Sequence, residues 1–133
     1  MKGTIILLSL ILVPSLLTAQ DSKTYGEGVM LWGAYDIMEQ KVIGDLEKKA
    51  DVISIEKVEG NYIIKCRDKG LFKITLTKLQ GLDEDGKFTD NYGTVYYVKD
   101  YLDTKYKVLD MVSSKPLPDV PPNIFMTLQI YIK

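Results

Sequence analysis

Along most of the chain, apolar and polar positions alternate in short runs that end at turn residues, which is the pattern of an all-β domain. The clearest run is 124–133, with Ile124, Met126, Leu128, Ile130 and Ile132 on one face and Phe125, Thr127, Gln129, Tyr131 and Lys133 on the other. Successive side chains of a strand point to opposite faces, so this run predicts a strand that ties the C-terminus into a sheet. Residues 51–58 are rich in β-branched side chains and end at Glu59-Gly60-Asn61, a turn signal, after which 62–66 resumes the alternation. The two runs predict a hairpin. Residues 71–79 set Phe72, Ile74 and Leu76 against Lys73, Thr75 and Thr77, a half-buried strand whose expected core face is the Phe-Ile-Leu one. Residues 93–99 and 106–112 are further strands, joined by 100–105, which has room for one tight helical turn.

Residues 35–50 admit two readings. Tyr35, Met38, Val42, Leu46 and Ala50 lie three or four apart and would share one helix face. Gly44 within the run disfavours a helix by about 1 kcal/mol relative to alanine, and an irregular or strand-like run over 40–46 entering the sheet is the alternative. Residues 115–122 carry Pro116, Pro118, Pro121 and Pro122. Such a segment favours extended polyproline II structure, and its position between two strands predicts a stiff connection.

The start of the chain changes where the protein is expected to work. Lys2, a mainly apolar run from Ile5 to Leu17 and Ala19 at a cleavage position form a secretory signal peptide over residues 1–19. The apolar run is shorter than the roughly 20 residues needed to span a bilayer, and Pro14 interrupts it. Gln20 follows the cleavage point, so no cysteine is there to carry a lipid. The expectation is a secreted or periplasmic protein with no stable membrane insertion after cleavage, in which 20–28 is a flexible leader and 29–133 a single β-rich domain.

Charge and composition narrow the chemistry. The chain holds 17 basic and 18 acidic residues, a formal net charge of −1, one unit more negative once Lys2 leaves. The basic excess that drives nucleic-acid binding is missing. There is no histidine, so histidine-dependent catalytic triads and zinc centres are excluded. Cys66 is the single cysteine; it shares a strand face with Tyr62 and Ile64 and is expected to be a buried core thiol. No phosphate-binding glycine loop is present. The densest acidic group, Asp83-Glu84-Asp85-Gly86, lacks the later ligands of a calcium loop, and Asp85-Gly86 suits a hairpin turn. No catalytic residues, metal site or cofactor are therefore expected. What remains is a surfeit of aromatic side chains. Tyrosine and tryptophan offer broad, amphipathic contact surfaces for sugars and peptides, and Trp32, Tyr35, Tyr97 and Tyr101 are the candidate ligand-binding residues.

The run from Lys41 to Ile55, Lys-Val-Ile-Gly-Asp-Leu-Glu-Lys-Lys-Ala-Asp-Val-Ile-Ser-Ile, followed by Gly60-Asn61-Tyr62-Ile63-Ile64-Lys65, resembles the bacterial SH3-like domain family. The family carries a "vigtlkkGdkVtV" run before "gWykV". Gly93 to Leu102, a Gly-aromatic strand ending in Tyr-Leu, resembles its closing pattern. The resemblance spans residues 29–112 with 70–92 as an inserted hairpin, and 124–133 adds an extra C-terminal strand. It implies a five-stranded barrel and attachment to a cell-envelope polymer or a peptide or protein partner. The competing architecture is a lipocalin-like up-and-down barrel, with Trp32 near the start of the first strand and a cavity for a small apolar ligand. A carboxylate-dependent hydrolase is the third possibility, and requires two acidic side chains converging in a cleft.

Overall fold

A computed structural model of the chain describes residues 22–68, 73–82 and 86–133. The expected signal peptide (1–19), Phe72 and the acidic triplet 83–85 lie outside the described residues. Nine strands form one antiparallel sheet: β1 (Ser22–Tyr25), β2 (Gly28–Asp36), β3 (Lys41–Val58), β4 (Asn61–Asp68), β5 (Ile74–Gly81), β6 (Lys87–Thr89), β7 (Val95–Tyr101), β8 (Val108–Pro116) and β9 (Ile124–Ile132). Strands β2 to β9 pair in chain order, and β9 pairs back onto β2, closing an eight-stranded barrel. The extra strand, β1, continues the line of β2 and pairs with the far half of the long β3.

Closure rests on a full register from Gly28↔Ile132 to Asp36↔Ile124. It also requires a glycine, because a Cβ at position 28 would lie 2.3 Å from the Tyr131 carbonyl oxygen. The inward residues are those the alternation selects on most strands: Met30, Ile55, Tyr62, Ile64, Cys66, Tyr96, Val98, Leu109, Met111, Leu128 and Ile130 are all buried in one core. Each fully buried Ile or Leu contributes on the order of 2 kcal/mol. Burial pushes the Cys66 thiol up to about 11, which keeps it protonated, as a core thiol should be. The β3–β4 hairpin turns through Glu59 and Gly60, both at positive φ (52° and 82°), as a two-residue type I′ turn demands.

Several sequence expectations are corrected. The resemblance implies five barrel strands, but the sheet closes on eight, and β5 and β6, inside the stretch expected as an inserted hairpin, are two staves of the wall. Within the stretch assigned to a leader, Ser22–Tyr25 form β1 and Tyr25 is buried. Of the two readings open for residues 35–50, the strand-like one matches β3 over 41–50 and is no correction: Gly44 at φ +70° and two register shifts against β2 disperse the helix-spaced apolar set. The connection 102–107 is two hydrogen-bonded turns, closed by Thr104 N–H to the Tyr101 carbonyl and Lys107 N–H to the Thr104 carbonyl. Most instructive is β5, which is turned the other way round. Thr75, Thr77 and Leu79 pair with Cys66, Ile64 and Tyr62 and so face inward, leaving Ile74 and Leu76 51% and 45% exposed. Period-two alternation separates two faces without saying which one faces the core; here the fully buried Leu79, packed at the Tyr62 end of the core, fixes the choice.

One end of the barrel is plugged by polar side chains. Asp100 accepts from Lys57 Nζ at 2.8 Å, from the Tyr62 hydroxyl at 2.7 Å and from the Leu102 amide at 2.9 Å. Burial works against ionising Asp100, but these three donors outweigh it and hold its carboxyl below the ordinary value. Asp103 binds Lys23 and the Tyr25 hydroxyl beside it, which fastens β1 over that end.

Among the described residues the shortest ladder is between β5 and β6, which pair Gln80↔Thr89 and Gly81↔Phe88 and add the Leu82 N–H to the Lys87 carbonyl at 2.9 Å. A side chain extends the ladder there: Asn91 accepts from Lys78 N–H at 2.8 Å and donates to the Leu76 carbonyl at 3.3 Å. Asp90 fixes the turn that presents it, accepting from the amides of Tyr92 and Thr94. Replacing Asn91 with alanine should cost about 1–2 kcal/mol and speed amide exchange at Lys78 more than at Ile64. Equal exchange at Lys78 in both proteins would show that the seam does not depend on this amide.

Candidate functional site

The outer wall of β7, β8, β9 and β2 is built in three rows by register. Tyr101, Val108, Tyr131 and Val29 form one row; Lys99, Asp110, Gln129 and Leu31 form the next; Tyr97, Val112, Thr127 and Gly33 form the third. Outward positions of a small barrel normally carry polar side chains, so a wall of tyrosine, valine and leucine is a departure with consequences. Its first two rows line a groove of about 420 Å³ formed by Tyr101, Tyr106, Val108, Asp110, Gln129 and Tyr131. That volume lies in the range of small-ligand sites, about 300–1,000 Å³.

Each wall of the groove has a local cause. Tyr101 and Tyr131 flank Val108 directly across the strands, and Val108 is buried although it stands outside the core cluster. Tyr106 comes from the 102–107 turns, where its amide donates to the Thr104 hydroxyl oxygen and the following Lys107 takes a left-handed φ of 51°. The Tyr131 hydroxyl donates to Gln129 Oε1 at 2.5 Å. Among the described residues, Asp110 Oδ1 is a buried side-chain oxygen with no hydrogen-bond partner. The neighbouring Thr127 hydroxyl donates to the Met111 carbonyl at 3.2 Å. Burial pushes the Asp110 carboxyl above its ordinary value, by more than the Lys99 charge across the strand, the Thr127 hydroxyl and the Met111 amide pull it down.

Of the four aromatic residues marked by the sequence, the structure brings Tyr97 and Tyr101 onto this wall, two rows apart, and Tyr101 into the groove itself. Trp32 does not join them. It shares the inward register of Leu128, is 40% exposed, and opens onto a separate hollow of about 250 Å³ with Ala34, Glu47 and Leu117. Tyr35 faces outward beside Phe125, six residues along β2 from Val29, about 20 Å from the Tyr131 row. Sequence reasoning missed Tyr106, Val108, Asp110, Gln129 and Tyr131. A readable signal existed for one of them: Asp110 is the lone acidic residue in the run Val108-Leu109-Asp110-Met111-Val112, where a charge interrupts a strand otherwise made of apolar side chains. Among the described residues no cluster of three or more His, Cys, Asp or Glu is placed to hold a metal ion.

A carboxyl raised above its ordinary value binds its proton more tightly in the folded than in the unfolded chain, so ionised Asp110 lowers stability at neutral pH, and this cost disappears as pH falls through its native value. Asp110→Asn should therefore stabilise the fold at pH 7 by about 1 kcal/mol, with the gain shrinking as pH falls through the raised native value and gone once pH is below the ordinary carboxylate value. Thermal unfolding across that range checks it. A lower melting temperature at pH 7 would mean that Asp110 has a stabilising partner in the native protein. No family model matches the chain, and no curated protein or solved structure is significantly similar to it, so its function must be argued from this wall.

Proposed function

We propose that this is an exported, non-catalytic binding domain whose ligand, a peptide or a cell-envelope polymer, lies in the tyrosine-rimmed groove on the outer wall of the barrel. The observation that carries this reading is Asp110, a buried carboxylate oxygen without a partner at the base of an aromatic groove. Buried polar atoms in native proteins are nearly always satisfied, and the Asp110 carboxyl lines the groove beside exposed tyrosines, where a ligand can bring it a donor. A hydrolase would need a second carboxylate in the groove, and among the described residues Asp110 is the only acidic side chain lining it.

A lipocalin-like carrier is the second reading, favoured by the up-and-down strand order. Eight-stranded barrels can either fill with side chains or hold one small ligand. Here Met30, Ile55, Ile64, Leu109, Met111 and Ile130 occupy the interior at almost no exposure, which favours a filled core.

Calorimetric titration with soluble cell-wall fragments and with short peptides separates these readings. Saturable binding that weakens at least tenfold in Tyr101→Ala and Tyr131→Ala, and is unchanged in Trp32→Ala, is the expected result. Binding of fatty acids alone, insensitive to both tyrosines, would replace the groove with the barrel interior.

A further inference from the structure

We propose that the group recognised in this groove is a primary alkylammonium, such as the side chain of lysine or another diamino acid in a peptide, with its charge on Asp110 and its methylene stem between the tyrosines. The proposal rests on the groove being the binding site and names what enters it. Three features of the groove select a cation. The Asp110 carboxyl lines the groove, and its Oδ1 has no hydrogen-bond partner. Gln129 Oε1, the other strong acceptor, is already taken by the Tyr131 hydroxyl. The remaining lining is Val108 and the rings of Tyr101, Tyr106 and Tyr131, whose faces are electron-rich and attract ammonium groups. An anion would meet both the carboxylate and the ring faces, and an uncharged apolar ligand would bury Asp110 further without satisfying it.

The protein's own lysines show that these rings accept cations without supplying the missing donor. Lys105 Nζ lies 5.2 Å from the centre of the Tyr106 ring, and Lys87 Nζ 5.8 Å from that of Tyr97 on the same wall. Lys99, the cross-strand neighbour of Asp110, leaves Oδ1 unpartnered. Asp110 Oδ1 thus has no internal ammonium bonded to it, and the carboxyl stands next to apolar surface that matches a methylene chain. Carboxylate and aromatic faces together recognise charge and stem at once, which a surface carboxylate alone does not.

The test is an NMR titration of the full protein with three matched tripeptides, Gly-Lys-Gly, its Nε-acetylated form and Gly-norleucine-Gly, all with blocked termini, together with the wall fragments used above. The lysine peptide should shift the amides of Tyr101, Asp110 and Tyr131 and bind at least tenfold tighter than the other two. Asp110→Asn, which keeps the side-chain shape, should abolish that preference, and raised salt should weaken it. Equal binding of the norleucine peptide would overturn the ammonium assignment while leaving the groove in place. Silence from all three peptides, with wall fragments still bound in a Tyr131-dependent way, would also overturn it. Wall-fragment binding indifferent to Tyr131→Ala would instead remove the groove reading on which it rests.

Discussion

Everything in this molecule depends on the pairing of β2 with β9, the contact that turns a meander into a barrel. It is a nine-residue register between segments almost a hundred positions apart in the chain, and it needs Gly28 to let the Tyr131 carbonyl approach. Without it, β2 and β9 would both be open edges, and the inward faces of Met30 and Ile130 would lack each other. With it, Tyr131 lies between Val108 and Val29, and the groove acquires its central wall. The closure that builds the core therefore also builds the candidate site. Contacts of such long sequence separation cost loop entropy before they return stabilisation, so this pairing is also expected to form late in folding.

The barrel is stabilised unevenly around its circumference. On the β2–β3–β4 side, β3 is eighteen residues long and pairs with three neighbours. On the opposite side, β5 and β6 share two residue pairs and rely on Asn91 to continue the ladder. At one end, Asp100 and Asp103 fasten Lys57, Tyr62, Lys23 and Tyr25 together. The groove lies on the firmly paired β7–β8–β9 wall, where strand register holds Tyr101, Asp110 and Tyr131 at fixed spacing. A site made of strand positions is more rigid than one made of loops, and only Tyr106 comes from a turn.

Much of the secondary structure was legible in the sequence, because alternation and turn chemistry are local. The β9 faces, the Glu59-Gly60 hairpin and the common face of Tyr62, Ile64 and Cys66 all follow from residues close together in the chain. Three things did not follow, each for a non-local reason. The inward face of β5 was set by its register against β4 and by Leu79, against the pull of Ile74 and Leu76. The count of barrel strands depended on which edges meet, which no short motif encodes. The groove combined Tyr101, Asp110 and Tyr131 from three strands whose adjacency only closure determines. Tyr97 and Tyr101 were readable as outward aromatics; their partners were not.

A carboxyl with one buried oxygen unpartnered, set among tyrosines, is a destabilising arrangement, and proteins keep such arrangements where binding repays them. The central claim is that ligands are received on the outside of this barrel while the interior stays filled. The most direct measurement is methyl and amide NMR during ligand saturation, with methionine methyls labelled. The account predicts perturbations at Tyr101, Tyr106, Asp110, Gln129 and Tyr131, with the methyls of Met30 and Met111 unmoved. Large shifts at Met30 and Met111, with the outer wall silent, would contradict it and place the ligand in the lumen.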